Sequence, residues 1–188
     1  MVGIPGKGSL LVASPTLADP NFFRSVIFLL AHDDDEGTLG VVLNRPSPIP
    51  VDEIVPEWGA LAAAPSVLFI GGPVQPSAAI CIGRTELPEA AEAAGFAPLF
   101  GALGTVDLHE DPADVPVPLA EVRVFTGYAG WGPGQLASEI GSGSWHVLEG
   151  CHQDVLSGDP GGLWSRVLRR QGGWLAVLAL YPADLASN

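Results

Sequence analysis

Two apolar runs separated by a short acidic stretch form the clearest pattern in the chain. SVIFLLAH spans Ser25 to His32, TLGVVLN spans Thr38 to Asn44, and DDDEG lies between them. Gly37 can adopt the positive φ that a tight turn needs, so the pattern predicts a β-hairpin. Because both runs are apolar at nearly every position, the two strands are expected to be buried on both faces.

Six further apolar runs predict strands. They are Gly8–Pro15, Ser66–Ile70, Ala78–Gly83, Glu121–Gly127, Ser144–Glu149 and Trp174–Tyr181. Strands therefore dominate, and helices interrupt them irregularly. This pattern predicts an α/β or α+β fold centred on a sheet, not a regular βαβ alternation.

Three segments predict helices: Leu87–Gly95, Pro133–Ile140 and Asp159–Gly173. In the last, Asp159 suits the N-cap, Pro160 the first turn and Gly172 the position after the helix. Its apolar residues fall on one face, and its arginines lie toward the C-terminal end, where the macrodipole favours cations. The apolar residues are Leu163, Trp164, Val167 and Leu168, and the arginines are Arg166, Arg169 and Arg170.

Two proline-rich segments, Arg45–Pro65 and His109–Pro118, are predicted to be connections inside the domain. Neither has the length or composition of an interdomain linker, so residues 1–188 are expected to form one domain.

Charge narrows the choice of partners. The chain has 21 acidic residues against 8 Lys and Arg, a formal net charge of −13. Direct binding to nucleic acid or to an anionic membrane surface requires a basic face, so neither is expected. The apolar runs are too short to span a membrane, and no signal peptide is recognisable, so a cytoplasmic location is expected.

No complete catalytic or metal-binding motif is present. Cys81 and Cys151 form no C-x-x-C, HEDPAD has Ala113 where a zinc-protease motif needs its second histidine, and no G-x-S-x-G occurs. GPGQLA matches G-x-G-x-x-A, but five residues separate it from the strand and Pro133 removes an N–H from the cradle. We therefore predict no catalytic residue, no metal and no cofactor.

Four blocks together resemble the bacterial YqgE/AlgH family. They are Gly8–Pro46 with DP-x-F-x-RSV and NRP, GGPV at Gly71–Val74, GYAGWGPGQLASEI at Gly127–Ile140, and GLWSRVLRRQGG at Gly162–Gly173. The resemblance implies an α/β fold in which a branched sheet curls into a pseudo-barrel flanked by a few helices. It implies no established reaction or cofactor. One branch of that family has been proposed to act in transcriptional regulation of exopolysaccharide synthesis.

The chain departs from the family pattern at two places. Ala137 stands where Glu is common, and IGR stands at Ile82–Arg84 where Leu-His is common. Roles that depend on those family side chains are therefore not assigned to this chain.

The matched positions predict a candidate ligand site and a set of structural glycines. One interpretation is that most of these residues maintain the fold. The other is that the ends of two strands meet, so that Arg, amide and aromatic groups line a pocket for an anionic or planar ligand. The candidate ligand-binding residues are Asn44, Arg45, Tyr128, Trp131, Gln135 and Glu139, and the glycines are Gly71, Gly72, Gly127 and Gly130.

Two functions follow from this pattern. The first is a non-catalytic binding or regulatory protein that acts through a small ligand or a protein partner. The second is an enzyme of unknown reaction whose site uses Arg45, Gln135, Glu139 or His146 in an arrangement that spacing alone does not show.

Overall fold

A computed structural model describes residues 3–87 and 92–182 and contains ten strands joined in one branched, mostly antiparallel sheet. The sheet curls into a half-barrel. The strands are β1 (Ser9–Ala13), β2 (Val26–Asp33), β3 (Gly37–Val42), β4 (Pro46–Pro50), β5 (Val67–Ile70), β6 (Val74–Thr85), β7 (Phe96–Phe100), β8 (Leu103–Val106), β9 (Leu119–Trp131) and β10 (Trp145–Glu149). The predicted fold class is confirmed.

The helices are short and lie between or after the strands. They are α1 (Val51–Ile54), α2 (Gln135–Gly141), α3 (His152–Val155), α4 (Leu163–Gln171) and α5 (Gly173–Leu178), with a 3-10 helix at Pro56–Leu61. None of the helices within 3–87 and 92–182 has the length and apolar character to cross a bilayer.

The sheet branches at β9. The main path runs β10-β1-β2-β3-β9-β6-β8-β7. β9 pairs with β6 over most of its length, with β3 at Ala129–Trp131, and in parallel with β5 at Phe125–Thr126. β5 in turn pairs with β4. The branched pairing agrees with the architecture that the family resemblance implies.

The predicted β2–β3 hairpin is present, and both of its faces are buried. Alternate side chains enter two different cores: Phe28 joins the core that contains α4, whereas Ile27 and Leu29 join a core that contains Trp131 and Trp145. The period-two alternation of a strand explains why an almost continuous apolar run is needed here.

The run Trp174–Tyr181, predicted to be a strand, is the helix α5 and the turn after it. That prediction was wrong because the run has a helical period as well as an apolar composition. Leu175 and Leu178 pack against the core three positions apart, while Trp174 and Val177 face outward. The glycines at 172 and 173 both have positive φ and turn the chain back along α4.

α4 has the predicted apolar face, and its four apolar residues are buried. It begins at Leu163, later than the predicted Pro160, and Asp159 Oδ1 accepts a hydrogen bond from Gly162 N over 3.1 Å just before it. Arg166 and Arg170 pair with Asp159 and Asp154, at 3.0 and 2.8 Å.

The proline-rich segment Arg45–Pro65, which was predicted to be a connection, contains β4, α1 and the 3-10 helix. β4 carries three prolines, which a strand tolerates because β4 is paired only with β5 and forms an edge. The β7–β8 hairpin was also not predicted, since Pro98, Gly101 and Gly104 interrupt its apolar pattern.

Four of the nine residues of the helix predicted at Leu87–Gly95, residues 88–91, lie outside the described residues. Around it, Ala93 forms a bridge with Phe96 and Gly95 lies in a turn. His109–Pro118 is an irregular connection, as predicted.

The GYAGW motif is part of β9, which continues to Trp131. The strand predicted at Glu121–Gly127 was too short, because Tyr128 and Trp131 also belong to β9. Only Gly132–Gly134 separate β9 from α2, and Gly134 adopts the left-handed conformation at φ 69° before Gln135 starts the helix.

Candidate functional site

The turn formed by Asp19–Arg24 organises the residues of interest. Phe23 N donates to Asp19 O over 2.7 Å, and Asn21 N donates to Asp19 Oδ1 over 2.8 Å. Arg24 has a φ of +53°, a left-handed conformation that is uncommon for a residue with a Cβ. The turn sends Phe22 into one cluster of side chains and Arg24 into another.

Phe22 enters an aromatic cluster that it forms with Trp131 and Trp145. Its ring stacks on Trp131 at a centroid distance of 6.3 Å and meets Trp145 edge-on at 5.6 Å. The two indoles are edge to face at 5.9 Å. Offset and edge-to-face contacts of this kind stabilise a core beyond the area that they bury.

Glu139 on α2 anchors this cluster. Its Oε2 accepts the indole N–H of Trp131 over 2.9 Å and that of Trp145 over 2.8 Å, and its Oε1 accepts from Gln135 Nε2 over 2.9 Å. Gln135 Oε1 in turn accepts from Gly132 N over 3.1 Å. Both carboxylate oxygens therefore have protein donors, and the arrangement fixes α2 against β9 and β10.

Arg24 enters a different cluster, on the surface of α4. Its guanidinium carbon lies 4.2 Å from the centroid of the Trp164 ring, a cation–π contact. Arg24 Nη2 also donates to Tyr181 O over 2.8 Å, beyond the end of α5. The Trp164 indole is itself fixed, because its N–H donates to Ala13 O over 2.9 Å.

Asn44 and Arg45 follow β3 and lie beside Arg24. Asn44 Oδ1 accepts from Val26 N over 3.0 Å, and its Nδ2 donates to Arg24 O over 2.8 Å. The amide thus holds the backbone of Arg24 in place. Arg45 Nη2 donates to Phe23 O, and Arg45 Nη1 makes a longer contact of 3.4 Å with Asn44 O.

These side chains line a cavity of about 390 Å³, which we call the arginine cleft. Within the described part of the chain, neither Arg24 nor Arg45 pairs with a carboxylate. Burial lowers the pKa of both guanidinium groups from the ordinary value of arginine. Both remain charged at neutral pH, since an arginine pKa lies far above 7. The lining residues are Phe23, Arg24, Asn44, Arg45, Gly161, Trp164 and Ser165.

A larger cavity, about 570 Å³, lies elsewhere between β6, β9 and α4. Its two arginines are already neutralised: Arg84 pairs with Glu121 at 2.9 Å, and Arg166 pairs with Asp159 at 3.0 Å. We therefore regard the smaller arginine cleft as the better candidate for binding an anion, because its two arginines have no carboxylate partner in the part of the chain that the structure describes.

The sequence matches a family model described as AlgH-like over residues 10–176. A UPF0301 protein of Thermobifida fusca is 49% identical over 187 residues, which cover 96% of this chain and 94% of the relative. The chain belongs to the AlgH-like family. A UPF0301 protein of Streptomyces coelicolor is 48% identical over 183 residues, with 96% and 94% covered.

Two solved structures share the AlgH-like fold. The crystal structure of protein DIP2367 from Corynebacterium diphtheriae has a TM-score of 0.87 at 33% identity, covering 95% of this chain and 94% of that one. The solution structure of the AlgH protein from Pseudomonas aeruginosa has a TM-score of 0.67 at 25% identity, with 96% and 97% covered.

The AlgH-like signature residues thus fall into two groups. Asn44 and Arg45 lie at the arginine cleft, whereas Trp131, Gln135 and Glu139 form the aromatic cluster. Tyr128 is half-buried against the main core and is opposite Val74 in β6. Tyr128, Trp131, Gln135 and Glu139 do not line the arginine cleft. The Asp19–Arg24 turn connects the two groups.

Arg24 and Trp164 are cleft residues that the sequence did not single out as ligand-binding. Arg24 is part of DP-x-F-x-RSV, so the motif carried a signal for it. Trp164 was assigned to the buried face of the helix, and it is indeed buried, although one face of its ring is available to Arg24. No signal in the sequence distinguishes a tryptophan that only packs in the core from one that also lines a cleft.

Three of the four signature glycines lie where two backbones cross. A Cβ on Gly72 would lie 2.1 Å from Tyr128 C, and one on Gly71 would lie 2.4 Å from Gly127 O. Gly127 has a φ of +67°, and a Cβ there would lie 2.5 Å from Gly72 O. These distances support a structural role. Gly130 is different, since a Cβ there would meet nothing closer than 3.5 Å.

In the described ranges, no three His, Cys, Asp or Glu side chains come together as a metal-binding group. His146 lies on β10, where its ring meets Trp174 edge-on at 5.2 Å. Arg45, Glu139 and His146 make no hydrogen bond with one another.

Proposed function

We propose that this AlgH-like protein is a non-catalytic binding protein whose arginine cleft takes a small anionic ligand, and that ligand binding serves a regulatory role. The proposal includes an indirect role in transcription, without direct contact with nucleic acid, and a cytoplasmic location. The observation that carries it is the pair Arg24 and Arg45, which line one cleft and have no carboxylate partner among the described residues.

The two arginines are held by backbone carbonyls and not by carboxylates. Arg24 donates to Tyr181 O and Arg45 to Phe23 O, and neither guanidinium pairs with an acidic side chain among the described residues. The positive charge of both groups therefore stays available to a ligand. A planar guanidinium also presents paired N–H donors that suit a carboxylate or a phosphate.

The backbone supports the same site. Left-handed residues with a Cβ cost about 1 kcal/mol or more and persist where the surrounding structure holds them, often at ligand sites. Arg24 is such a residue, and the Asn44 amide bonded to its carbonyl is one of the groups that hold it. The site is therefore preorganised, which lowers the entropic cost of binding.

The size of the cleft limits the ligand. A volume of about 390 Å³ is at the lower end of the range for small-molecule sites, roughly 300–1,000 Å³. A small metabolite fits this volume. The acidic surface elsewhere disfavours a polyanion such as nucleic acid.

The alternative function, an enzyme with its site near Arg45, Gln135 and Glu139, has less support. Both oxygens of Glu139 already accept hydrogen bonds from Trp131, Trp145 and Gln135. A general acid or base must have an oxygen that reaches the substrate. Glu139 is bonded to its own fold instead, and Arg45 belongs to the other group of residues.

A thermal-shift screen against small anionic metabolites tests the proposal. We expect at least one carboxylate or phosphate to raise the melting temperature of the wild type, and we expect Arg45→Ala to abolish that shift. Arg169→Ala is the matched control, because Arg169 is exposed and its loss changes the net charge equally. A shift that survives in Arg45→Ala, or the absence of any shift, would overturn the proposal.

A further inference from the structure

Arg45 lines a second cavity besides the arginine cleft. This neighbouring cavity has a volume of about 220 Å³, and we call it the apolar cavity. Its walls are Pro20, Val42, Ile70, Gly72 and Pro73, and Asn21 is its one polar side chain apart from Arg45. The two cavities therefore share Arg45 as a lining residue.

The walls of the apolar cavity are fixed by backbone contacts. Ile70 N donates to Arg45 O over 2.8 Å, and Val42 N donates to Gly71 O over 2.8 Å. Gly72 packs closely on the backbone of Tyr128, since a Cβ at Gly72 would lie 2.1 Å from Tyr128 C. Backbone hydrogen bonds and close packing thus connect the walls of the cavity to Arg45.

Ile70 is the exposed wall of this cavity. Half of its surface is accessible, although it ends a strand between two paired neighbours. An exposed apolar residue is common on its own, but Ile70 lines one cavity together with two prolines and with Arg45. Arg45 has no carboxylate partner among the described residues. A ligand that covered Ile70 would gain apolar burial in addition to the ionic contact.

The two cavities together define a class of ligand. We propose that the ligand is an amphiphilic anion: a carboxylate or phosphate bound between Arg24 and Arg45, carrying an aromatic or branched apolar group that fills the apolar cavity. This inference rests on the proposed function. A cavity of roughly 150 Å³ with apolar walls accepts benzene, so 220 Å³ has room for one ring or a short branched chain.

A purely polar anion, such as a sugar phosphate, fits this pair of cavities less well. Its hydroxyl groups would lie against Pro20, Ile70 and Pro73, which offer no side-chain hydrogen bond. A buried polar group without a partner costs free energy, whereas an apolar group at the same place gains it. The pair of cavities therefore selects against such ligands.

Three probes separate the two parts of the inference: acetate has the charge alone, phenylacetate has the charge and a ring, and 2-phenylethanol has the ring alone. Dissociation constants are measured by NMR titration of the whole chain. We expect phenylacetate to bind at least tenfold more tightly than acetate, and 2-phenylethanol to bind more weakly than phenylacetate by at least the same factor. Two variants at exposed positions, Ile70→Ser and Ile54→Ser, are titrated alongside the wild type.

Ile70→Ser should remove the advantage of phenylacetate over acetate while leaving acetate binding unchanged. Ile54→Ser, the control, changes an isoleucine of similar exposure on α1 that lines neither cavity, and should behave as the wild type. Equal binding of acetate and phenylacetate to the wild type would overturn this inference and leave the proposed function standing. An advantage that persists in Ile70→Ser would also overturn it. Failure of both anions to bind would also overturn this inference, whereas the proposed function is decided separately by the thermal-shift screen.

Discussion

Trp131 and Trp145 donate their indole N–H groups to the same carboxylate oxygen of Glu139, over 2.9 and 2.8 Å. The two tryptophans come from β9 and β10, which are not neighbours in the sheet, and the carboxylate comes from α2. One acidic side chain thus joins three elements. These hydrogen bonds explain why the GYAGW motif and the following helix belong together in the fold.

Loss of this carboxylate is expected to destabilise the fold. Both indoles are buried, so Glu139→Ala leaves two N–H donors without a partner and should cost about 2–4 kcal/mol of unfolding free energy. Glu139→Gln keeps one acceptor and should cost less, about 1–2 kcal/mol. Urea unfolding measures both. Glu53→Gln, at an exposed position on α1, is the control and should stay within about 0.5 kcal/mol of the wild type. If the free energy of unfolding of Glu139→Ala equalled that of the wild type, the carboxylate would not be needed for stability and would be free for another role.

A buried cation on β9 is a second determinant of stability. The Arg123 guanidinium donates to the carbonyls of Val155, Ser157, Ala63 and Ala64, and it lies 4.3 Å from the Phe69 ring centroid. Arg123 thereby attaches the segments at Ala63–Ala64 and Val155–Ser157 to the sheet.

Arg123→Ala should lower the free energy of unfolding by about 3–5 kcal/mol, because it leaves buried carbonyls without donors and opens a cavity. Arg123→Lys keeps the charge but not the fork of donors, and should fall between Arg123→Ala and the wild type. Chemical denaturation gives the order of the three proteins. Equal stability of the lysine variant and the wild type would mean that charge, not the set of hydrogen bonds, is what the site requires.

Much of the fold was predictable from sequence, and the reasons are local. The β2–β3 hairpin and α4 carry strong periodicity and clear ends, and the structure has both. α5 was mistaken for a strand because its run of eight apolar residues fits both the period of a strand and that of a helix. The run forms a helix that packs back along α4 after the two glycines that reverse the chain. β7 and β8 were missed because their proline and glycines weaken the pattern that a strand prediction needs.

The candidate site was predictable only in part. Asn44 and Arg45 stand in a recognisable motif at the end of an apolar run, so their proximity to a cleft could be expected. Their neighbour Trp164 lies 119 residues further along the chain, and its position depends on how α4 packs across the sheet. Trp131 and Glu139, equally prominent in the sequence, bond to each other. Spacing alone does not tell a side chain that faces a cavity from one that faces a neighbouring strand.

The stability of the protein should fall at mildly acidic pH through His146. Burial lowers the pKa of His146 below its ordinary value of 6.5, and its Nε2 has no hydrogen-bond partner among the described residues. The unfolded chain therefore takes up a proton first, and the free energy of unfolding falls as pH drops below about 6.5, by at most about 1.4 kcal/mol per pH unit.

Urea unfolding at pH 7.5 and pH 5.0 measures this contribution. His146→Gln should lose less stability between the two pH values than the wild type, since it has no group to protonate. His109→Gln, at an exposed position in the loop before β9, should lose as much as the wild type. Identical acid dependence in all three proteins would show that His146 makes no contribution.

The two cysteines should differ in reactivity. Cys81 is 2% exposed, and burial raises the pKa of its thiol to about 12. Cys151 is half-buried beside Arg170 and Asp154. Alkylation requires the thiolate and access to it, so iodoacetamide at pH 8 should modify Cys151 in the native protein and both thiols in urea. Mass spectrometry counts the modified sites. Rapid modification of Cys81 in the native protein would contradict its burial.

The indole N–H signal of Trp164 tests the arginine cleft most directly. In ¹H–¹⁵N spectra each of the five tryptophans contributes one indole N–H signal, and Trp→Phe variants at 164, 131 and 145 assign the three of interest. On titration with the anion that gives the largest thermal shift, the Trp164 signal should move to saturation while the Trp131 and Trp145 signals stay in place. The movement should disappear in Arg45→Ala and persist in Arg169→Ala. Saturable movement of the Trp131 and Trp145 signals with none at Trp164 would contradict binding at the arginine cleft.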